Sequence, residues 1–238
     1  MINFFRKIRR QLANENKFQR YMRYAIGEVA LVVVGILIAL SINNWNDSRI
    51  ERVKEKEILF TLKNDLKTNI DILYSDISRL EYNISACDSL IDVIEYKKPM
   101  ADSLPRYFHT VRFTANDKLS FSAYEALRST GFEIVQNNTL RGEIIKLFEV
   151  TYAKMNENLD RIIDFTGEFI AQYYLMNMES LSGKAIPNNY EKVISDPVYK
   201  NIVSALKNRH TWSIDLKKPC ITESEQLIQW IDEELDRM

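Results

Sequence analysis

The chain has 238 residues, 46% of them hydrophobic, with only six Gly and five Pro, so a sizeable core is available and turn residues are scarce. That balance excludes a wholly disordered chain, disfavours a many-stranded β architecture and predicts an all-α fold. The net charge of −1 divides into +6 over the first 24 residues and −7 over the rest, which argues against nucleic-acid binding by the main body and directs the basic end to an anionic membrane surface.

Residues 1–24 form a basic segment. Phe4, Phe5, Ile8 and Leu12 recur at helical spacing opposite Arg6, Arg9 and Arg10. This is the pattern of an amphipathic segment lying on a membrane, and the same charges serve equally well as a plain topology signal. Residues 25–42, AIGEVALVVVGILIALSI, reach about 27 Å as a helix, close to the hydrocarbon thickness of a bilayer. The eleven Leu, Ile and Val residues of this stretch favour insertion by about 3 to 7 kcal/mol, against a cost of about 3 kcal/mol for Glu28 even at the bilayer centre. Tyr21, Tyr24 and Trp45 bracket it as interfacial aromatics do.

A retained transmembrane helix is therefore expected. A cleaved signal peptide is the rival, because Ala39 and Ser41 have signal-peptidase spacing, but its leader and apolar run are normally shorter than these. Seven Lys and Arg precede the span and four follow within residues 43–62, which predicts a cytoplasmic amino terminus and residues 43–238 on the far side. Glu28 is an intramembrane carboxylate near the basic end, read as a snorkelling side chain before a partner contact. Gly35 and Ala39 form a small-residue pair on one face, with Gly27 two steps of four before Gly35. Pairing of two copies through this face and the ordinary abundance of glycine in membrane helices explain it equally.

Beyond the span, Leu59, Leu62, Leu66, Ile70, Leu73, Ile77, Leu80, Ile84, Cys87, Ile91 and Ile94 follow one another in steps of three and four. They predict a long helix over 51–97, stopped at Lys97-Lys98-Pro99. Leu140, Ile144, Phe148, Tyr152, Met155, Leu159, Ile162, Phe169, Tyr173 and Met176 predict a second over 139–180, capped by Asn138. The simplest arrangement is an elongated antiparallel hairpin or bundle of these two, with residues 99–137 as a distal head. Short accessory helices are expected at Leu104–Phe113 and at Ser120–Thr130, the latter ended by Gly131. Residues 197–238 should hold two more, near Pro197–Asn208 and from Glu223, where Thr222 and Glu225 have capping-box spacing before Leu227, Ile228, Ile231 and Leu235.

The stretch from Tyr24 to Asp47, YAIGEVALVVVGILIALSINNWND, resembles the amino-terminal signature of a family of uncharacterised single-span membrane proteins of Bacteroidota, a domain-of-unknown-function family. SAYEALRSTG, from Ser122 to Gly131, and NTLR, from Asn138 to Arg141, resemble further family segments, whereas Ser41 and Asp47 depart from the expected glutamine and glutamate. The resemblance implies a Gram-negative inner membrane with a periplasmic helical domain. It brings no activity, cofactor or catalytic residue.

The residues themselves add no chemistry. His109 and His210, about 100 residues apart, have no acidic or cysteine companion at metal-ligand spacing and read as structural. No phosphate loop, nucleophile elbow or zinc-binding helix motif is present. Tyr107, Phe108, Phe113, Phe121, Tyr124 and Phe132 read as packing of short helices before a ligand pocket. Cys87 and Cys220, the two cysteines, either bridge in an oxidising compartment or remain separate thiols, and the apolar position of Cys87 favours the thiol. No catalytic, cofactor-binding or metal-binding residue is expected. The leading expectation is a membrane-tethered interaction or structural protein that contacts lipid, an unidentified protein partner and, through its span, a second copy. A ligand-binding sensor acting through a partner is the alternative, and an enzyme comes third.

Overall fold

A computed structural model describes residues 18–238, so the amphipathic pattern of residues 4–12 lies outside the described residues. Two compact units meet at Lys54–Glu55. In the first, helix α1 (Phe18–Tyr96) passes through residues 43–50 without a break, so no separate helix starts at 51. No Gly or Pro stands there to stop it, and bonds one turn apart continue it: Ser41 Oγ donates to the Leu37 carbonyl at 2.8 Å and Asn43 Nδ2 to Asp47 at 2.8 Å. Leu31, Val32, Val33 and Val34, which together cover a full turn, are 46% to 76% exposed. A core helix would hide at least one of them. One helix near the amino terminus is thus long and apolar enough to cross a membrane, and its apolar window is wholly uncovered.

The second unit is built on the remainder of α1. After it come α2 (Leu104–Thr110), α3 (Ser122–Thr130), a 3-10 turn (Phe132–Ile134), α4 (Asn138–Lys146), a π-helical segment (Leu147–Tyr152) and α5 (Ala153–Asn177). The chain closes with β1 (Met178–Leu181), β2 (Lys184–Pro187), α6 (Tyr190–Ser195) and α7 (Pro197–Arg237). The all-α class holds, with one two-stranded antiparallel hairpin added among the described residues, Met178 opposite Pro187 and Leu181 opposite Lys184. Its turn is Ser182-Gly183, where Gly183 takes a left-handed φ of 71°. The expected helix over 139–180 ends three residues early because this hairpin begins.

The antiparallel partner of α1 is α7, not the helix read from the second apolar series. Contacts descend along α7 as they rise along α1: Lys63 with Asp232, Tyr74 with Glu225, Asp76 with Lys217, Asp88 with Lys207, Glu95 with Lys200. Path α4–α5 runs parallel to α1, since Leu140 to Leu159 pack with Leu59 to Leu73, while Ile170 and Tyr174 pack with Ala86 to Ile94. Parallel neighbours need a return path, and residues 111–137 supply it. They come back along α1 rather than forming a distal head.

Local signals hold in most places, with shifts of a residue or a turn. Lys97 takes a positive φ of 45° at the end of α1, and Gly131 a φ of 107° after α3. The cap of α4 is Asn137, one residue before the expected Asn138; its Oδ1 accepts from the Thr139 and Leu140 amides at 3.1 Å each. The capping box at Thr222 and Glu225 is not used. Helix α7 is continuous, and Thr222 Oγ1 instead donates to the Lys218 carbonyl at 3.2 Å. Pro219 inside it costs about 3 kcal/mol, which burial of Cys220, Ile221, Leu227 and Ile231 offsets. Phe169 and Met176, assigned above to an apolar face, are 59% and 67% exposed, and Ile170 and Tyr174 are buried instead.

Candidate functional site

From Glu55 onward α1 carries a strict heptad face. Leu59, Leu66, Leu73, Leu80, Cys87 and Ile94 form one column, and Glu55, Leu62, Asn69, Asp76, Asn83 and Leu90 the other, all buried. Four members of the second column are polar, and each bonds to the main chain of the returning segment. The Glu55 carboxylate accepts from the Gln136 amide at 2.8 Å, and Asn69 both accepts from the Ser120 amide at 2.7 Å and donates to its carbonyl at 2.9 Å. Asp76 accepts from the Asp117 amide at 3.2 Å, and Asn83 donates to the Phe113 carbonyl at 2.8 Å. Residues 113–121 form neither helix nor strand, and because Phe113 meets Asn83 while Ser120 meets Asn69 they run nearly extended past α1, so their peptide groups lack helical partners and the ladder supplies them. Asp65 adds the amino-terminal cap of α3, accepting from the Ala123 amide and the Ser122 hydroxyl at 2.9 Å each.

Two large apolar clusters lie along the bundle, one around Leu59–Leu73 and one around Ala86–Ile94. Between them only Leu80, Ala115 and Ile214 form a small cluster, and the waist is polar. There Lys217 Nζ donates to Asp76 at 2.8 Å, with side chains 1% and 0% exposed. Arg79 also pairs with Asp76, and reaches Asp117 at 2.6 Å. His210 and Ser213 lie on the same face of α7 as Lys217. His210 Nε2 meets the Val111 carbonyl at 2.9 Å, whereas His210 Nδ1 and Ser213 Oγ are buried with no hydrogen-bond partner among the described residues. Burial holds the His210 imidazole below its ordinary pKa, and Arg209 adds to this, against the Val111 bond.

A groove of about 300 Å³ opens beside the waist, between α1 and the extended segment. Ser78, Arg79, Tyr82 and Asn83 line one wall; Thr110, Phe113, Thr114 and Ala115 line the other. Asn83 is its floor, and Thr110 Oγ1 donates to Asn83 Oδ1 at 3.1 Å. Phe113 is half exposed, with the Arg112 guanidinium 4.7 Å from its ring centre and the His109 ring at 5.0 Å. The aromatic set read from the sequence is therefore split. Phe108 packs on Tyr199, Phe113 lines the groove, and Phe121 and Tyr124 pack on Phe148.

Of the other residues singled out by sequence, Glu28 is half-buried and Gly35 and Ala39 are exposed in the first unit, where a Cβ added at Gly35 meets nothing within 4 Å. Cys87 and Cys220 are both free and buried, in different clusters, and burial pushes each thiol up to about 12. Neither is an activated nucleophile. Among the described residues no group of three His, Cys, Asp or Glu side chains is placed to hold a metal ion. Sequence reading missed Asn69, Asp76, Asn83 and Lys217. The signal was present in the seven-residue spacing of the first three inside an apolar series.

No curated protein and no solved structure matches the chain. The Family of unknown function (DUF6090) matches residues 28–205, from the apolar stretch through the start of α7. Because that match covers most of its length, the chain belongs to this family.

Proposed function

We propose a non-catalytic, membrane-anchored interaction protein of the cell envelope. The observation that carries this reading is the stretch of α1 exposed round its whole circumference, in a helix that continues into a packed bundle. In the proposed topology the basic amino terminus is cytoplasmic, the stretch crosses the inner membrane of a Gram-negative bacterium of the Bacteroidota, and the bundle is periplasmic. Gly35 and Ala39 allow two spans to approach closely, and the bundle surface meets a protein partner. The reading is tested by fusing a periplasm-dependent reporter after Met238 and by extracting membranes with alkaline carbonate. An active reporter and a membrane-retained full-length chain are expected. An active cytoplasmic reporter, or release of a chain shortened at Ser41, overturns it. Replacing Gly35 by Ile should weaken pairing of the span in a membrane two-hybrid assay.

A ligand-binding sensor acting through a partner is the second reading. The groove between α1 and the extended segment is what favours it.

A further inference from the structure

We propose that the groove beside Asn83 binds an uncharged, polyhydroxylated ring, such as one sugar unit of a glycan chain. Its volume of about 300 Å³ lies at the small end of ligand sites, which suits a ring or two and not a dinucleotide or haem. Its lining decides the chemistry. Tyr82 and Phe113 are 44% and 51% exposed, so each leaves ring surface to solvent inside the same groove. Phe113 is held in place by the Arg112 guanidinium and the His109 ring. A platform fixed before binding loses little side-chain entropy when a ligand covers it.

The polar groups that line the groove are hydroxyls, one amide and one paired cation, and the Arg112 guanidinium, outside the lining, lies against the Phe113 ring and beside His109. Ser78, Tyr82 and Thr114 present oxygen atoms able to donate and accept, and Thr110, whose hydroxyl donates to Asn83, still accepts. Arg79 is the one cation of the lining, and Asp76 and Asp117 already engage it. A phosphate or carboxylate ligand would have to break those pairs, and an ammonium ligand finds no unengaged carboxylate in the lining. What remains suited to the groove is a neutral molecule with an apolar face for the rings and hydroxyls at its edge, which is the chemistry of a pyranose. A nucleobase also stacks on aromatic rings, but the hydroxyl-rich wall offers its amide edge no matching planar donor–acceptor pair, because the Asn83 carboxamide is already bonded to Phe113 and Thr110.

The test uses the full chain in detergent micelles, with saturation-transfer NMR against chitotetraose and maltotetraose as probes and adenosine and citrate as comparators. Saturation transfer to ring protons of at least one oligosaccharide is expected at millimolar concentration. Replacing Phe113 or Tyr82 by Ala should weaken it about tenfold, with Phe113→Trp restoring it, while the circular dichroism melt of each variant stays unchanged. Transfer to neither sugar, equal transfer in the alanine variants, or stronger transfer to adenosine or citrate overturns the proposal. Should the alanine variants melt early, Phe113→Trp and Thr114→Val carry the test: loss of transfer in the first, or no weakening in the second, counts against the site.

Discussion

Removing either end of the buried pair between Asp76 and Lys217 should destabilise the protein, but not equally. In Asp76→Leu the Lys217 ammonium, 1% exposed, loses its carboxylate, and an uncompensated charge in a packed interior costs about 3–5 kcal/mol. In Lys217→Met the Asp76 carboxylate keeps Arg79 and the Asp117 amide, so the loss is closer to one charge-assisted hydrogen bond, about 1.5–3 kcal/mol. The double variant Asp76→Leu/Lys217→Met removes both charges and refills the volume with apolar atoms. It should lie within about 2 kcal/mol of the wild type, giving a coupling of at least about 2 kcal/mol in the cycle. Urea unfolding of the full chain in non-ionic micelles, followed by fluorescence of Trp212 and Trp230, measures all four proteins. A larger cost for Lys217→Met than for Asp76→Leu, or a double variant that costs the sum of the two, would refute this account of the buried pair.

Other outcomes follow from single contacts. His210 has a folded pKa depressed by burial, so the unfolded chain takes the proton first as pH falls. Its stability contribution is complete above the ordinary histidine pKa of about 6.5 and is lost progressively below it. Between pH 7.5 and 5 the wild type should therefore lose more stability than His210→Gln in parallel urea titrations, and equal losses would contradict the assignment. Asn69→Leu removes both bonds to Ser120 and leaves a partly buried peptide unpaired, at about 1 kcal/mol; amide exchange at Ser120 should accelerate while that of Leu159 keeps pace only with global stability. Cys87 and Cys220, with thiols pushed up to about 12, should resist iodoacetamide at pH 8 in the native protein and both react in urea without reductant. A chain that takes up no label in urea would indicate a bond between them.

The sequence revealed most where one physical rule decides the outcome alone. The apolar stretch needs only length and composition, and the end of α1 follows from Lys97-Lys98-Pro99; α7 starts at the expected Pro197, where the structure adds the cap, Asp196 accepting from the Val198 amide at 2.8 Å. Legibility fell where two rules compete. Thr222 and Glu225 have the spacing of a helix start, yet α7 was already running and its apolar face continued through them. Leu140, Ile144, Phe148 and Tyr152 are three steps of four, which on an α-helix rotate the face by about 120°. The π-helical turn at Leu147–Tyr152 widens the helix there. It keeps Phe148 stacked on Tyr124 at 4.4 Å and Tyr152 bonded to Ser224 at 2.7 Å. An unbroken run of fours is thus a readable sign of a π segment, and the periodicity argument passed over it.

The parallel course of α4–α5 was the largest thing not read, and the polar heptad positions of α1 explain how it was recoverable. A helical neighbour satisfies its own amides and carbonyls, so it leaves a buried Asn or Asp on the facing helix without a main-chain partner. An extended neighbour does the reverse, because it brings peptide groups that need partners into the interior. Asn69, Asp76 and Asn83, buried at steps of seven among leucines, therefore specify an extended companion on that face of α1. The extended companion carries the chain back as far as Asp65, where α3 begins, and α3 with the 3-10 turn completes the return to the Glu55 end, as the bond from Gln136 to Glu55 records. Starting from that end, the next helix can only run beside α1 in the same direction. The groove exists for the same reason: a helix and an extended chain have different widths and cannot close on each other along their whole length, and the side chains that fill the difference elsewhere are replaced near Asn83 by the hydroxyls of Ser78, Thr110 and Thr114.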